Sequence, residues 1–341
     1  MTTAIGRNCK LEDLLEIKHG YAFQGEYFAG VGSHIVLTPG NFYDEGGFKD
    51  KGDKEKWYTG PIPSDYVLKE GDLIVVMTEQ AEGLLGSSAI IPRSGIYLHN
   101  QRLGLVQIRD RSQADKRFLY YLFNSKPVRQ QIRASASGTK IRHTAPSRIG
   151  EVKVSVPSLP VQSRIAGILS AYDDLIENNQ RRIKILEEMT RFLYREWFVH
   201  FRFPGHENHP CVASPLGEIP KGWEVNLGKD ILARRAAGTI YREADVKEAG
   251  VIPVLDQSTN ELLGFHDNEA DHHASPESPL AIFGDPTCKM QLLVEPFSVG
   301  PNVIPFVAEA GLPMSYVFYA VNSLVQTQEY KRHWTPLTPR K

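Results

Sequence analysis

The longest regular pattern of apolar and polar positions runs from Leu159 to Phe203. Its apolar residues recur at steps of three and four, which places them along one face of a helix. Charged residues fill the opposite face, as on a solvated helix surface. We call the apolar face the seam; it comprises Ile165, Leu169, Tyr172, Ile176, Asn179, Ile183, Leu186, Leu193 and Trp197.

The length of this pattern indicates a spacer helix. Roughly 38 helical residues would form a rod about 55 Å long, whereas average helices have about 11 or 12 residues. Asn179 is a polar residue within the seam, and such a residue fixes the register of paired helices at some cost in stability. We therefore expect a partner helix along the seam, and we expect the helix to stop at Pro204-Gly205.

Short apolar runs bounded by turn residues precede this helix and predict strands. A helical pattern with an interruption near Pro127 lies among them. The predicted elements are the strands His34–Thr38, Gly71–Thr78 and Glu151–Pro157, one or two strands within Ile96–Ile108, and the helix Phe118–Arg133.

The chain after Phe203 repeats the order of these elements. The best match is YVFYAVNS (Tyr316–Ser323) against FLYYLFNS (Phe118–Ser125), at an offset of 198 residues, 316 minus 118. At that offset Lys341 corresponds to His143, so a second copy of the strand Glu151–Pro157 and of the helix is missing from this sequence. The matched blocks are Leu216–Ile231, Val251–Asp256, Ser278–Asp285, Phe297–Glu309 and Tyr316–Ser323.

These patterns predict an α+β protein, with two similar mixed α/β domains joined by a long helix of coiled-coil type. The predicted boundaries are residues 1–158 for the first domain, 159–203 for the helix, 204–215 for a linker and 216–341 for the second domain.

The composition is that of a folded protein in a reducing compartment. Of 341 residues, 41% are hydrophobic and 23% charged. The three cysteines are scattered, which argues against a disulfide framework, and the sequence contains neither a signal peptide nor a run of 18 apolar residues. We therefore expect a cytoplasmic protein without a membrane partner. Since the net charge is −1, nucleic-acid binding would depend on local basic patches.

Catalytic motifs are weak in this sequence. It has no Walker A loop and no GxGxxG, and the tetrapeptide Asp285-Pro286-Thr287-Cys288 lacks the second proline and the aromatic residue of an amino-methyltransferase site. Groups of His and Cys around His206–Cys211 and at His272, His273 and Cys288 lack paired metal-ligand spacing. We expect no catalytic residue, no metal site and no cofactor bound by this chain.

A stronger signal is a stretch from Lys116 to Gly150 that contains no Asp or Glu but many basic residues. Such a stretch is typical of a surface that contacts phosphates, although a solvated basic helix and loop would read the same way. Polar residues in two loops have the donors and acceptors to read base edges. The candidate DNA-binding residues are Arg129, Arg133, Lys140, Arg142 and His143, with Gln80, Gln101 and Arg102 in the loops, and Lys331 and Arg332 in the second domain.

The central region resembles the conserved region of the specificity subunit of type I restriction-modification systems. The residues that carry the resemblance are Pro157-Ser158-Leu159-Pro160, Gln162, Arg164, Ile165-Ala166, Leu169, Asp173 and Ile176, with Val161 where the family usually has Glu. The segment Pro215–Glu224 resembles the opening of that family's second target-recognition domain.

The resemblance implies a non-catalytic subunit in which each domain reads one half of a split site in double-stranded DNA. It implies docking of two adenine-N6 methyltransferase (modification) subunits, which supply S-adenosylmethionine, and of a restriction endonuclease subunit, which uses ATP and Mg²⁺. Complete members carry a second conserved helix, which this sequence lacks. We therefore consider self-association through residues 159–203, a helix supplied by another chain, and a truncated subunit. Two alternatives are a protein scaffold that binds no DNA and a methyltransferase fused to a DNA-reading domain.

Overall fold

The computed structural model describes residues 6–79, 83–138, 141–258, 261–285 and 287–325. The contacts between residues divide the chain into two compact units, with the boundary between Gln180 and Arg181 inside the long helix.

The first unit is built on a four-stranded antiparallel sheet of order β2-β10-β6-β8. Its strands are β1 (Arg7–Lys10), β2 (Leu15–His19), β3 (Phe28–Ala29), β4 (His34–Val36), β5 (Trp57–Tyr58), β6 (Leu73–Val76), β7 (Thr78–Glu79), β8 (Ser88–Ile90), β9 (Tyr97–Leu98), β10 (Leu103–Ile108), β11 (Arg142–His143) and β12 (Lys153–Val156). Its helices are α1 (Lys116–Asn124), α2 (Lys126–Ala134), α3 (Pro146–Gly150) and the first part of α4 (Leu159–Tyr194).

Strand β6 shows why this sheet forms. All four of its residues are buried, and successive side chains enter different cores. Leu73 and Val75 belong to the core that includes helices α1 and α2, whereas Ile74 and Val76 belong to the core around β4 and β9. Because both faces of the strand are covered, the run is continuously apolar rather than alternating.

The predicted interruption of the helical segment is confirmed. Helix α1 ends at Asn124, Ser125 is extended, and α2 begins at Lys126 with Pro127 in its first turn. Proline is tolerated there because the first turn has no intrahelical partner for its missing N–H.

The end of α4 differs from the prediction. The α-helix ends at Tyr194, a π-helical turn covers Arg195–Val199, and Phe201 has a φ of 56°. The turn is stabilised by Arg202, whose N–H donates to the Glu196 carbonyl at 2.7 Å and whose guanidinium donates twice to the Glu196 carboxylate. The chain therefore leaves the helix before Pro204.

The second unit contains another four-stranded sheet, of order β15-β21-β18-β19. Its strands are β13 (Cys211–Ser214), β14 (Gly217–Pro220), β15 (Leu232–Arg234), β16 (Ile252–Leu255), β17 (Leu262–His266), β18 (Leu280–Gly284), β19 (Lys289–Leu293), β20 (Ser298–Val299) and β21 (Val303–Ala308). Its helices are α5 (Gly228–Ile231) and α6 (Met314–Val325), together with the second part of α4.

The two sheets are equivalent strand by strand, which confirms the predicted fold class of two similar domains with a long helix. Strand β4 runs parallel to β9 in the first unit, and β16 runs parallel to β20 in the second. Within the predicted repeat block Leu216–Ile231, only the last residues correspond to the opening of the first domain. The first part of the block contains β14, which pairs with β13 in a separate hairpin.

Candidate nucleic-acid interface

One end of the first sheet brings together loops that are far apart in sequence. Strand β10 pairs with β2 through Gly104 and His19, and with β6 through Leu103 and Val76. The end of β2, the start of β10 and the end of β6 therefore meet. We call this end of the sheet, with the adjoining β7 and β11, the first sheet end; it comprises His19–Tyr21, Asn100–Arg102, Met77–Glu79 and Arg142–His143.

Backbone hydrogen bonds hold these loops together. The Met77 N–H donates to the Arg102 carbonyl at 2.9 Å, and the Thr144 N–H donates to the Met77 carbonyl at 2.9 Å. Tyr21 and Gln101 are joined in the same way, from the Gln101 N–H to the Tyr21 carbonyl at 2.9 Å. The loop positions are therefore fixed by main-chain contacts, which leave the side chains free to vary.

Gln101 and Arg102 occupy an exposed turn at this end. The turn is closed by Asn100, whose side-chain oxygen accepts from the Arg102 N–H at 3.1 Å and whose carbonyl accepts from the Leu103 N–H at 2.9 Å. Asn100 thus has a structural role, whereas no described residue hydrogen-bonds to the side chain of Gln101 or Arg102. An exposed Arg beside an exposed Gln can contact a guanine, an adenine or a phosphate.

Arg142 and His143 reach the same end through strand β11, which pairs with β7. The His143 Nδ1 lies 3.0 Å from the Thr78 hydroxyl, so the two side chains share a hydrogen bond. Gly138 allows this arrangement, since a Cβ on it would lie 2.0 Å from the Ile141 carbonyl oxygen and its φ is +103°. The structure therefore brings together four of the predicted residues: Gln101, Arg102, Arg142 and His143.

The prediction for Arg129 is wrong. Its guanidinium is buried and donates to the Leu85 carbonyl at 2.9 Å, the Asp44 carbonyl at 2.7 Å and the Gly83 carbonyl. It also forms an ion pair with the Asp44 carboxylate at 3.2 Å. Burial lowers the pKa of Arg129 below its ordinary value. With these partners, Arg129 holds two loops together instead of contacting a phosphate.

Arg133 shares the Gly83 carbonyl and the Asp44 carboxylate with Arg129 but is less buried. Its Nη2 donates to the Gly83 carbonyl at 2.6 Å, while 31% of its side chain is exposed. A phosphate contact from Arg133 stays a prediction. The predicted residues Gln80, Lys140, Lys331 and Arg332 lie outside the described residues.

His19 and Tyr21 belong to the first sheet end, and sequence reasoning missed them. Both are exposed, and the Tyr21 ring packs against Phe23 and Tyr66 at centroid distances of 5.1 and 5.3 Å. In the sequence, the pattern that could have indicated them is Gly20 between a histidine and an aromatic residue at a strand end. A Cβ on Gly20 would lie 2.0 Å from the Asn100 carbonyl oxygen, so this glycine permits close approach of two chain segments.

The neighbouring His99 supports the turn from the interior of the domain. It is fully buried, and its Nε2–H donates to the Leu103 carbonyl at 2.9 Å. Burial lowers the pKa of His99 to about 4, because the charged ring would lose its hydration. His99 is therefore neutral at pH 7 and stabilises the start of β10.

The second unit has an equivalent sheet end. The Asp285 N–H donates to the Asn302 carbonyl at 2.8 Å, in the place of the contact from Met77 to Arg102. Asn302 is exposed and has a φ of 61°, and Arg234 is exposed at the end of β15. We call this the second sheet end; it comprises Arg234, Gly284–Asp285 and Pro301–Asn302.

The seam residues of α4 are exposed, with exposed fractions from 37% at Ile165 and Trp197 to 63% at Tyr172. Asn179 is exposed as well. Within α4, only Gln162 and Ala166 are buried. The helix thus presents an apolar stripe that suits a second helix.

Within the described ranges, no three His, Cys, Asp or Glu side chains come together as a metal site. Nor does the described part of the chain include a helix with the length and apolar character needed to cross a membrane.

The fold defines a class of protein with two similar domains, each with an exposed polar sheet end, connected through one long helix. Residues 7–188 match the family model of the type I restriction modification DNA specificity domain. This match covers more than half of the chain, and the chain belongs to that family.

Several known proteins are similar to this chain. The MjaIX specificity subunit of a type I restriction enzyme from Methanocaldococcus jannaschii is 36% identical over 115 residues, which cover 34% of this chain and 27% of that protein. The MjaVIII specificity subunit from the same organism is 24% identical over 189 residues, covering 55% of this chain and 41% of that protein. The chain thus matches less than half the length of these curated relatives.

The fold is shared with a solved structure, the S subunit of a type I restriction-modification system from M. genitalium. The TM-score is 0.61 at 17% identity, and the match covers 97% of this chain and 80% of that chain.

Proposed function

We propose that this chain is a DNA sequence-specificity subunit of a type I restriction-modification complex and is itself non-catalytic. The observation that carries the proposal is the repeated sheet end: two equivalent backbone contacts hold turns that display different exposed polar side chains in the two units. Each sheet end reads one half of a split site in double-stranded DNA. Family membership supports this assignment.

Base reading in the first unit is assigned to the turn with Gln101 and Arg102. Arg142 and His143 lie beside this turn and supply phosphate contacts or further base contacts. Since Arg142 is partly exposed, it can neutralise a phosphate without leaving the fold.

The long helix docks the partners in this proposal. Adenine-N6 methyltransferase subunits bring S-adenosylmethionine, and the restriction endonuclease subunit brings ATP and Mg²⁺. These groups are assigned to the partners and not to this chain.

Selection from randomised DNA tests the proposal. The chain is purified together with its methyltransferase subunit and incubated with duplexes that contain two randomised blocks. We expect enrichment of two short motifs at one fixed separation. Failure of the intact complex to enrich any motif would contradict DNA specificity, and a single continuous motif would contradict reading by two sheet ends.

The exposed seam favours a second proposal, that α4 pairs with another helix, either from a second copy of this chain or from a partner. Substituting Leu186 by Glu places a charge in the seam and should lower the assembly mass. Lys184→Glu on the same helix, outside the seam, is the matched control. Light scattering coupled to size exclusion measures the mass, and an unchanged mass for Leu186→Glu would contradict pairing through the seam.

A further inference from the structure

The first turns of α4 are fastened to the first domain by a buried glutamine. Gln162 is 1% exposed, and its side chain makes three hydrogen bonds. Its oxygen accepts from the Asp115 N–H at 3.0 Å, and its nitrogen donates to the carbonyls of Gln113 at 2.9 Å and Pro157 at 2.8 Å. A buried amide with three backbone partners is strongly oriented.

A second contact lies eleven residues further along α4, or about 16 Å along its axis. There the Tyr121 hydroxyl donates to the Asp173 carboxylate at 2.7 Å. Burial, together with the bond to Asp173, raises the pKa of Tyr121 above its ordinary value. One contact would leave the helix free to pivot, whereas two separated contacts fix its direction.

Both contacts connect α4 to α1. Asp115 caps the start of α1 by accepting from the Phe118 N–H at 2.9 Å, and it also accepts from the Ser163 hydroxyl at 3.0 Å. The apolar face of α1, with Phe118, Leu119 and Phe123, is part of the core beneath the sheet. The sheet, α1 and the first part of α4 are therefore mechanically linked.

We propose that Gln162, Asp115, Tyr121 and Asp173, which we call the latch, fix the direction in which α4 leaves the first domain and thereby select one separation of the DNA half-sites. This proposal rests on the proposed function as a reader of a split site. Gln162 and Tyr121 act in it as positioning residues that touch no DNA.

The geometry explains why a small movement matters. The part of α4 that belongs to the first unit, from Leu159 to Gln180, has a length of about 33 Å, so a tilt of about 6° moves its end by about 3.5 Å. That displacement is close to the ~3.4 Å rise of one base pair. A loosened latch should therefore admit separations that differ by one or two base pairs.

The first experiment measures, in the absence of DNA, how firmly the latch fixes the direction of α4. Spin labels are attached at Glu70→Cys and Asn178→Cys in a chain in which Cys9, Cys211 and Cys288 are replaced, and electron–electron resonance gives the distance distribution. We expect a narrow distribution for the parent chain and a broad one for the double variant Gln162→Ala with Tyr121→Phe. Gln180→Ala, at an exposed glutamine of the same helix, is the control. An equally narrow distribution in the double variant would overturn the proposal.

The second experiment measures the consequence for DNA. Duplexes carry the selected half-sites with the separation lengthened or shortened by one or two base pairs. For the parent chain with its methyltransferase subunit, we expect the affinity for a duplex with a changed separation to be at least tenfold lower than the affinity at the optimal separation. For the double variant we expect a fall of less than threefold, with unchanged affinity for a duplex that carries only the first half-site.

The outcomes separate the two proposals. Unchanged discrimination between separations, together with a broadened distance distribution, would contradict the role of the latch in DNA recognition. Absence of sequence-specific binding by the parent chain would instead contradict the proposed function, while the spin-label distances would still test the latch. Tyr121→Phe alone, which removes one hydroxyl, serves as the variant if the double substitution unfolds the domain.

Discussion

The two sheet ends share a backbone arrangement but use equivalent positions differently. Tyr21 and Tyr241 both follow a β-strand of the main sheet, and each donates its N–H to an equivalent carbonyl, that of His99 or Val299. Tyr21 is 36% exposed, whereas Tyr241 is 8% exposed and stacks on His266 at a centroid distance of 4.3 Å. His266 in turn donates to the Ser298 hydroxyl at 2.9 Å. The aromatic ring is thus accessible to solvent in the first unit, whereas His266 covers it in the second unit.

This difference indicates how such a fold can vary its recognition without losing stability. The contacts that hold each sheet end together join main-chain N–H and carbonyl groups, which every residue except proline supplies. The exposed side chains at the turns, Arg102 in one unit and Asn302 in the other, have few packing constraints, and at Asn302 the positive φ favours Asn or Gly. Substitutions there should change recognition, whereas substitutions in the supporting contacts should change stability.

The largest expected effect is on stability and concerns two arginines from the same basic stretch. Arg129→Met removes a buried guanidinium that joins two loops, and we expect it to lower the free energy of unfolding by about 3 kcal/mol. Arg142→Met should change that free energy by less than about 0.5 kcal/mol but reduce the salt dependence of DNA binding by about one unit. Urea unfolding and titrations at several salt concentrations measure the two quantities. Equal losses of stability would contradict the structural role of Arg129.

A second prediction concerns the close approach of Gly20 to Asn100 at the first sheet end. Gly20→Ala introduces a Cβ that overlaps the Asn100 carbonyl, so we expect a loss of about 1–3 kcal/mol in the free energy of unfolding. Gly25→Ala, where a Cβ would meet nothing within 4 Å, is the control. Thermal unfolding measures both, and similar midpoints would show that the loops can separate without cost.

A third prediction separates the two sheet ends by their DNA sites. Arg102→Ala should weaken binding to the first half-site by about 1–3 kcal/mol and leave the second unaffected, because one lost base contact is worth about that amount. Asn302→Ala should do the reverse with a smaller effect, since a neutral amide makes weaker hydrogen bonds than a guanidinium. Competition with duplexes mutated in one half-site distinguishes these effects. Loss of affinity for both half-sites in either variant would contradict independent reading.

The smallest expected effect depends on pH and involves His99. Its pKa in the folded state, about 4, is below the ordinary value of 6.5. The unfolded chain therefore takes up a proton first as pH falls, and the folded state loses stability between pH 6.5 and 4. At pH 5.5 this amounts to about 1.4 kcal/mol.

The variant His99→Gln keeps a donor for the Leu103 carbonyl but does not titrate. It should remove this contribution from the pH dependence of unfolding. The charges of Lys18 and His19 also lower the pKa of His99, so both residues are left unchanged in the variant. An identical pH dependence in His99→Gln would assign the loss of stability to other groups.

The strands and the repeat could be predicted because burial leaves a local signal. A sheet covered on both faces requires an apolar run such as Leu73–Val76, and each copy carries one. The break before Pro127 was predictable for a similar reason, since proline restricts its immediate neighbours. These features depend on residues close together in the sequence.

The features that escaped prediction depend on distant parts of the chain. A basic stretch has the same sequence pattern whether an arginine faces solvent or folds back, and Arg129 meets Asp44, which is 85 residues away. His19 and Tyr21 join the sheet end only through pairing with residues around position 100. At the early end of α4, Arg202 pairs with Glu196, six residues before it, a contact that helical periodicity does not indicate.

The most direct test of the central claim, that each sheet end reads one half of a split site, is a genome-wide map of N6-methyladenine. The chain is co-expressed with its methyltransferase subunit as the parent sequence, as Arg102→Ala with His143→Ala, and as Asn302→Ala. We predict a split motif for the parent, degeneracy in one half for the first variant and in the other half for the second. Variants that alter the same half, or leave both halves unchanged while methylation persists, would contradict the account.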